Sequence, residues 1–546
     1  MIKKYISDLK SEFSGYNGGK LAKDAMAGLT VAAVALPLAL AFGVSSGADA
    51  QAGLITAIFA GIIMGILSGA SYQISGPTGA MAAILMGISA AHGIEGVLIA
   101  GLLSGIILLL AGIFKLGNLV SFIPAPVITG FTSGIAITIA LGQIDNFFGT
   151  VSEGENAIEK LLSYGELGFP VDMTTLFFGA LVVVIMLIYP KKLNAIIPSS
   201  LMGIIVALVV NMIMNPTPVV TEVGTIPSSL VSSHGLLTSG IDFSKVSALI
   251  SPAISIAALG MIESLLCGAS AGKMKGEKMD ARRELIAQGI GNIVIPLFGG
   301  VPATSAIART SVAIKSGGVT RLVSVFHSAT LLLAMFLLGP VMSRIPLAAL
   351  AGVLMVTAWR MNEWHEIKHI FKNKLYFSML QFLVTMIATV VFDLTIAIII
   401  GVLLAMLVFV VKNTELYLKI SDVDNKKLAG KGITISDDVR VRVVYLAGPL
   451  FFGTQDKVIN ALNEMPEDTN TIILSMRGVS YVDDSAVTEL ETVAKECNDK
   501  NIRLLISGLQ SKVEKHLTDC GFIDTFGSEN IYWDAVEAFR ALSSNN

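Results

Sequence analysis

The sequence predicts a polytopic α-helical membrane protein of about fourteen segments, followed by a small cytoplasmic α/β domain. Three observations carry this. Of 546 residues, 53% are hydrophobic and only 14% charged, whereas a typical soluble domain carries about 25% charge. Nearly charge-free apolar runs recur from about Met26 to Val411, with the length of bilayer-crossing helices at roughly 20 residues each. From about Asp437 charges become frequent and apolar runs shrink to strand length.

Membrane segments are expected at 25–42, 52–69, 76–91, 96–114, 122–144, 171–189, 196–214, 247–268, 283–298, 303–315, 321–339, 345–358, 375–391 and 394–411. The third and tenth are short, and several others carry an internal Gly or Pro. Five lysines precede Ala25. The first apolar run, "GLTVAAVALPLALAFGV", lacks a clean small-residue cleavage site and reads as a span, not a leader. The expected domains are a cytoplasmic N-terminus at 1–24, a transmembrane domain at 25–412, a linker at 413–436 and the soluble domain at 437–546.

Loop charges orient the chain, because cytoplasmic loops collect Lys and Arg. With the N-terminus inside, even-numbered segments end inside. From the fourth onward those ends carry Lys115, Lys191 and Lys192, "GKMKGEKMDARRE", Lys315 and Arg321, "WRMNEWHEIKHIFKNK", and Lys412. On the other side, Asp145 to Pro170 holds five acids and one lysine, and Asn211 to Asp242 holds no Lys or Arg. Both termini are therefore expected in the cytoplasm of a multi-pass cell-membrane protein.

In the soluble part, "VRVRVVYLAGPLFF", "TIILSMR" and "IRLLISGL" read as strands. "QDKVINALNEM", "DSAVTELETVAKECND", "SKVEKHLTDCG" and "NIYWDAVEAFRAL" read as helical. Such alternation suggests a largely parallel sheet.

The third segment opens on "SYQISGPTGAM", where a charge-free stretch packs a proline and two glycines beside hydroxyl residues. Pro77 lacks an N–H and suits a first helical turn, and neighbouring Ser75 or Thr78 can cap free amides. Ser75-Gly76-Pro77-Thr78 thus reads as a helix beginning part-way across the membrane, and such a start favours an anion. "FGGVPATSAIART" repeats the grammar, with Pro302 followed by Ala303, Thr304 and Ser305. Paired interrupted segments in the two halves of a membrane domain point to a transport site. The plain alternative is a pair of proline kinks with tight glycine packing.

Glu263, in "LGMIESLLCG", and Arg309 are ionisable groups within membrane segments, where charges are costly and usually functional or paired. Arg309 adds fixed positive charge near the second break. Glu263 is a candidate proton carrier, since burial favours the uncharged form of a carboxyl. The alternatives are a permanent ion pair with Arg309 or a place near the cytoplasmic end of its segment. Asp145, Lys115, Arg344 and Asp393 are expected at the interface, and His92 and His327 as packing or interfacial residues. Cys267, Cys497 and Cys520 show neither metal spacing nor a disulfide pattern. No nucleophile–base pair, metal cluster or cofactor motif is present, which argues against an enzyme. A net charge of −3 gives no sign of a nucleic-acid partner.

"ISGPTGAM", "GFTSGIAITIA", "IESLLCGASAGKM", "RRELIAQGIGNIVIPLFGG" and "ATSAIART" closely resemble the SulP family of anion transporters. "VYLAGPLFFG" and "VSYVDDSAVTEL" resemble its C-terminal STAS domain. The likeness spans nearly the whole chain and is greatest toward the bacterial DauA-type branch of proton-coupled dicarboxylate carriers. It implies a 7+7 inverted repeat divided into core and gate domains, a homodimer surrounded by membrane lipid, and movement of core against gate. It also implies an anion held between Ser75, Gly76, Pro77, Thr78 and Gly79 on one side and Ala303, Thr304, Ser305 and Ala306 on the other, with Arg309 near. Sodium-coupled bicarbonate carriers of the family place an aspartate and, one turn later, a threonine where this chain has Glu263 and Cys267. A thiol is a poor sodium ligand, so protons are favoured. In related anti-sigma-factor antagonists a phosphorylated serine stands where this STAS domain has Asp484, with Ser485 one residue later. That favours scaffolding over a phospho-switch, with a cytoplasmic partner for the STAS domain as a further expectation.

The leading expectation is a proton-coupled symporter of a dicarboxylate, sulfate or bicarbonate. Alternatives are an uncoupled channel or exchanger, a sodium-coupled bicarbonate carrier, a transporter-shaped sensor, and a carrier of a neutral substrate.

Overall fold

The computed structural model describes residues 2–544 apart from 118–122, 155–156, 195–196, 215–219, 228, 393, 414–415, 424–427, 429, 431, 434, 437–438, 455–457, 462–464 and 467. The chain divides into two units, one ending at Leu403 and one beginning at Leu404.

The first unit is a helical membrane domain. A helix stands at each of the fourteen expected segments, including Gly18–Ser45, Ala50–Leu67, Val246–Lys275 and Leu322–Met342. Among the described residues, six helical stretches are long and apolar enough to cross a membrane, and five more are shorter apolar helices. The third and fourth segments share the stretch Gly79–Ile113, which breaks at Gly93 with φ +70° and ψ −178°. An L side chain is strained in that region and glycine is not, so the break falls between the two expected spans. The starts of the fifth and seventh segments and Asp393 lie outside the described residues. Lys115, Arg344 and His92 are exposed, whereas His327 is buried.

Two helical groups pack within this unit. Gly18–Ser45, Ala50–Phe59, Gly79–Ile113, Val246–Lys275, Ala281–Leu297, Ile307–Lys315 and Leu322–Met342 pack on one another as the core. Ala125–Gly142, Met173–Ile188, Ser199–Met214, Leu347–Met361 and Tyr376–Val391 form the gate. Each half of the repeat therefore gives its first four segments to the core. Between core helices the backbones approach closely at glycines. Gly105 and Gly289 face each other so tightly that a Cβ on Gly105 would sit 2.6 Å from the Ile293 nitrogen. Small residues permit this contact in the absence of a hydrophobic driving force between helices.

The second unit is a five-stranded sheet in the order β3-β4-β5-β6-β7, with β3 Tyr417–Asp422, β4 Val441–Ala447, β5 Thr471–Gly478, β6 Arg503–Ser507 and β7 Ile531–Tyr532. β4 to β7 are parallel and β3 is an antiparallel edge. Both faces are covered, as a parallel sheet requires. Val444, Leu474 and Ile506 face Leu490 and Leu517, while Val443, Ile473 and Leu505 face Phe539 and Leu542. Two details differ from the sequence reading. β3 lies in the stretch assigned to the linker, because an edge strand alternates exposed and half-buried positions and so carries a weak hydrophobic signal. "NIYWDAVEAFRAL" opens with β7, and its helix begins only at Ala535. Much of "QDKVINALNEM" lies outside the described residues.

Candidate functional site

Both interrupted segments become short strands in mid-unit. β1, Ser75–Gly76, pairs antiparallel with β2, Thr304–Ser305, with Ser75 opposite Ser305 and Gly76 opposite Thr304. Each strand leads into a helix, Gly79–Ile113 on one side and Ile307–Lys315 on the other. The backbone groups left over by two broken helices thus satisfy each other in part, which irregular backbone at membrane depth must do. Two helix N-termini, with their free amides and positive dipole ends, are brought to one place.

A ring of buried polar side chains fixes this crossing. Gln288 Nε2 lies 3.0 Å from Ser75 Oγ, 2.9 Å from Ser305 Oγ and 2.8 Å from Glu284 Oε1. The two serine hydroxyls are 3.0 Å apart. Asn292 donates to the Ala303 carbonyl at 2.9 Å and accepts from its N–H at 2.7 Å, like a neighbouring strand. Ser264 Oγ lies 2.8 Å from Thr304 Oγ1 and accepts from the Ser305 N–H at 3.3 Å. Thr310 Oγ1 accepts from the Ile74 N–H at 3.1 Å. Sequence reasoning missed Ser264, Glu284, Gln288, Asn292 and Thr310. A signal existed: Glu284, Gln288 and Asn292 follow at four-residue steps and form one wholly buried polar stripe along their helix.

The predicted charges sit beside the crossing. Arg309 is 2% exposed, and its Nη2 donates to the Pro77 carbonyl at 2.9 Å. Its Nη1 has no hydrogen-bond partner. A Cβ on Gly76 would lie 2.5 Å from that Nη1, so a side chain there displaces the guanidinium. Glu263 is half-buried and accepts from Thr78 Oγ1 at 2.9 Å. Among the described residues no ion pair joins Glu263 to Arg309. Cys267 donates to Thr310 Oγ1 at 3.4 Å.

Of the expected binding residues, Ser75, Gly76, Pro77, Thr78, Gly79, Ala303, Thr304 and Ser305 are buried, Ala306 is half-buried, and Ile307 and Ala308 just beyond are exposed. Gly79 is closed off by apolar groups, with Ile139 Cδ1 and the Phe42 ring 2.6 and 3.2 Å from where its Cβ would stand. The structure therefore brings all the named segments together, with Glu263 and Arg309 on their flanks. The arrangement can hold a small anion by amides, hydroxyls and one guanidinium.

Residues 21–388 match the sulfate permease family, and residues 433–538 match the STAS domain. The chain belongs to the sulfate permease, or SulP, family. It is an anion transporter with a STAS domain, not an enzyme. It is 36% identical over 526 residues to YvdB of Bacillus subtilis (strain 168), covering 95% of this chain and 97% of that one. It is 29% identical over 514 residues to Bicarbonate transporter BicA of Picosynechococcus sp., covering 90% of each. The transmembrane domain of a cyanobacterium bicarbonate transporter BicA superposes with TM-score 0.62 at 26% identity, covering 71% of this chain and 97% of that one. The murine Slc26a9 anion transporter shares the fold, with TM-score 0.83 at 17% identity over 98% of this chain and 93% of that one.

Proposed function

We propose that this SulP protein is a symporter that couples a proton to a small oxyanion of the sulfate, bicarbonate or dicarboxylate class. The anion binds between Ser75–Gly79 and Ala303–Ala306. The observation that carries this reading is the second helix start. Its N-cap is Ala306, whose side chain caps nothing, so first-turn amides lack a side-chain partner beside a buried guanidinium that has a spare donor. A bound anion supplies the missing acceptors. The names borne by relatives, sulfate transporter and bicarbonate transporter, support the oxyanion class.

Glu263 is the coupling group. Its carboxylate, held by Thr78 at the first helix start, stands as a like charge toward an arriving anion, and a proton removes that repulsion. Carrying the two together also reduces the charge moved through the membrane potential, worth about 2.3 kcal/mol per elementary charge per 100 mV. Cys267 supplies no hard oxygen ligand for sodium. The protein works as a homodimer in the cell membrane with both termini cytoplasmic, and the core moves against the gate. Its domains run 1–24, 25–412, 413–436 and 437–546, and the STAS domain scaffolds a cytoplasmic partner.

The test is uptake of labelled sulfate, bicarbonate and dicarboxylate into proteoliposomes. An inward proton gradient drives accumulation and a sodium gradient has no effect. Glu263→Gln keeps binding and exchange of labelled for unlabelled anion but no longer accumulates against a gradient. Sodium-driven uptake, or full proton-driven accumulation by the glutamine variant, rejects this mechanism.

A further inference from the structure

The STAS unit carries a constellation that the transport mechanism does not use. Asp484 opens the helix Asp484–Asp499. His516 and Cys520 lie one turn apart, His516 in the helix Ser511–Asp519 and Cys520 as its C-cap. The three side chains converge: His516 Nε2 is 3.2 Å from Asp484 Oδ1, Cys520 Sγ is 3.9 Å from that oxygen, and Sγ is 3.8 Å from His516 Nε2. Each offers one ligand atom, and all lie within 4.8 Å of one another. Asp484 and His516 also line a groove of about 310 Å³ with Ser480, Tyr481, Asp483 and Lys512.

An Asp–His ion pair accounts for one of the three distances. The one-turn spacing from His516 places the thiol near the imidazole, and its contacts to both partners are at the long limit of sulfur hydrogen bonds, which leaves its approach to a carboxylate on another helix without a reason. A tetrahedral metal gives one. With metal–N and metal–O bonds of ~2.0 Å and a metal–S bond of ~2.3 Å, ligand atoms sit roughly 3.3–3.5 Å apart along tetrahedral edges. The observed edges of 3.2, 3.8 and 3.9 Å are within a small side-chain adjustment of that figure. The neighbouring N-cap, Asp483, is committed elsewhere, accepting from the N–H groups of Ala486 and Phe452 at 2.8 and 3.1 Å. Asp484 has no backbone duty of that kind and is free to ligate.

We propose that Asp484, His516 and Cys520 form a site for a divalent metal of the zinc class, with one coordination position left open. Mixed N, O and S ligands in tetrahedral array suit Zn²⁺ or Co²⁺ better than Ca²⁺ or Mg²⁺. Binding releases the Cys520 thiol proton to solvent as the sulfur becomes a thiolate ligand. The open position takes water or a donor group arriving through the groove. Sequence reasoning found no metal spacing, because the ligands come from two helices and only His516 and Cys520 are close in the chain.

The experiment uses the full-length protein in detergent, without a histidine tag, titrated with Co²⁺. One equivalent should bind with the visible bands of tetrahedral cobalt and a thiolate-to-cobalt charge-transfer band, and Zn²⁺ should displace it. Cys520→Ser should remove the charge-transfer band, and His516→Gln should weaken binding at least about tenfold. Cys497→Ser, which changes a cysteine buried in the same unit, should alter neither. Absence of the charge-transfer band in the native protein, or its persistence in Cys520→Ser, overturns the proposal. These readouts are independent of transport, so they stand or fall apart from the symport reading.

Discussion

The two helix starts that meet at the crossing come from equivalent places in the repeat, yet they are finished differently. At the first, Thr78 is the N-cap, and its hydroxyl accepts from the Met81 N–H at 3.3 Å while donating to Glu263. That start is buried, and one of its first-turn amides has a side-chain cap. At the second, Ala306 caps nothing, the residues just beyond are exposed, and Arg309 lies in the first turn with a spare donor. The first start therefore carries its own acceptor and meets a titratable acid, Glu263, that the helix Val246–Lys275 brings to it. The other is left short of acceptors and carries the fixed positive charge. Under the symport proposal the tasks divide along this line: the first start serves the proton, and the second the anion.

The largest effect is expected from removing the fixed charge. Arg309→Ala should weaken anion binding by about 1.5–3 kcal/mol, the range for a hydrogen bond to a charged group, or roughly 10- to 150-fold. Arg309→Lys, which keeps the charge but loses the planar fork, should recover part of that. Binding by calorimetry and the chromatographic profile are read together. A well-folded alanine variant with native affinity would take Arg309 out of the anion's reach and dissolve the asymmetry.

Gly76→Ala comes next. It adds a methyl 2.5 Å from Arg309 Nη1, so the guanidinium must leave its place and its bond to the Pro77 carbonyl. Overpacking of this kind costs about 1–3 kcal/mol, and anion affinity should drop by roughly tenfold. Unchanged affinity would mean that the guanidinium's position is irrelevant to the site.

The sequence made the spans and both breaks legible, because apolar length and Gly-Pro-hydroxyl grammar are local properties. Arg309 and Glu263 stood out because a charge in an apolar run is conspicuous. What local grammar does not encode is which side chain satisfies which. Whether Glu263 pairs with Arg309 or with Thr78 depends on how three separate segments pack, and the structure gives it to Thr78. The supporting stripe of Glu284, Gln288 and Asn292 was hidden for another reason. It sits on a helix whose glycines and charged first turn read as an ordinary span end. β3 escaped notice because an edge strand needs only a half-buried face. Asp484, His516 and Cys520 escaped because their juxtaposition is tertiary.

The smallest effect, and the sharpest for the comparison, is expected at Ala306. Serine there can accept from an amide of the first turn, as Thr78 does in the other half. A side-chain N-cap is worth about 1 kcal/mol, so Ala306→Ser should raise the thermal stability of the anion-free protein. In the bound state the new hydroxyl competes with the anion for the same donor. Affinity should therefore fall by about fivefold, the equivalent of that 1 kcal/mol, while proton dependence through Glu263 stays as it was. Thermal shift without anion and titration with sulfate or bicarbonate measure the two halves of this statement separately. A more stable variant with undiminished affinity would show that the second helix start is capped by something other than the anion, and the division of labour between the two starts would fail.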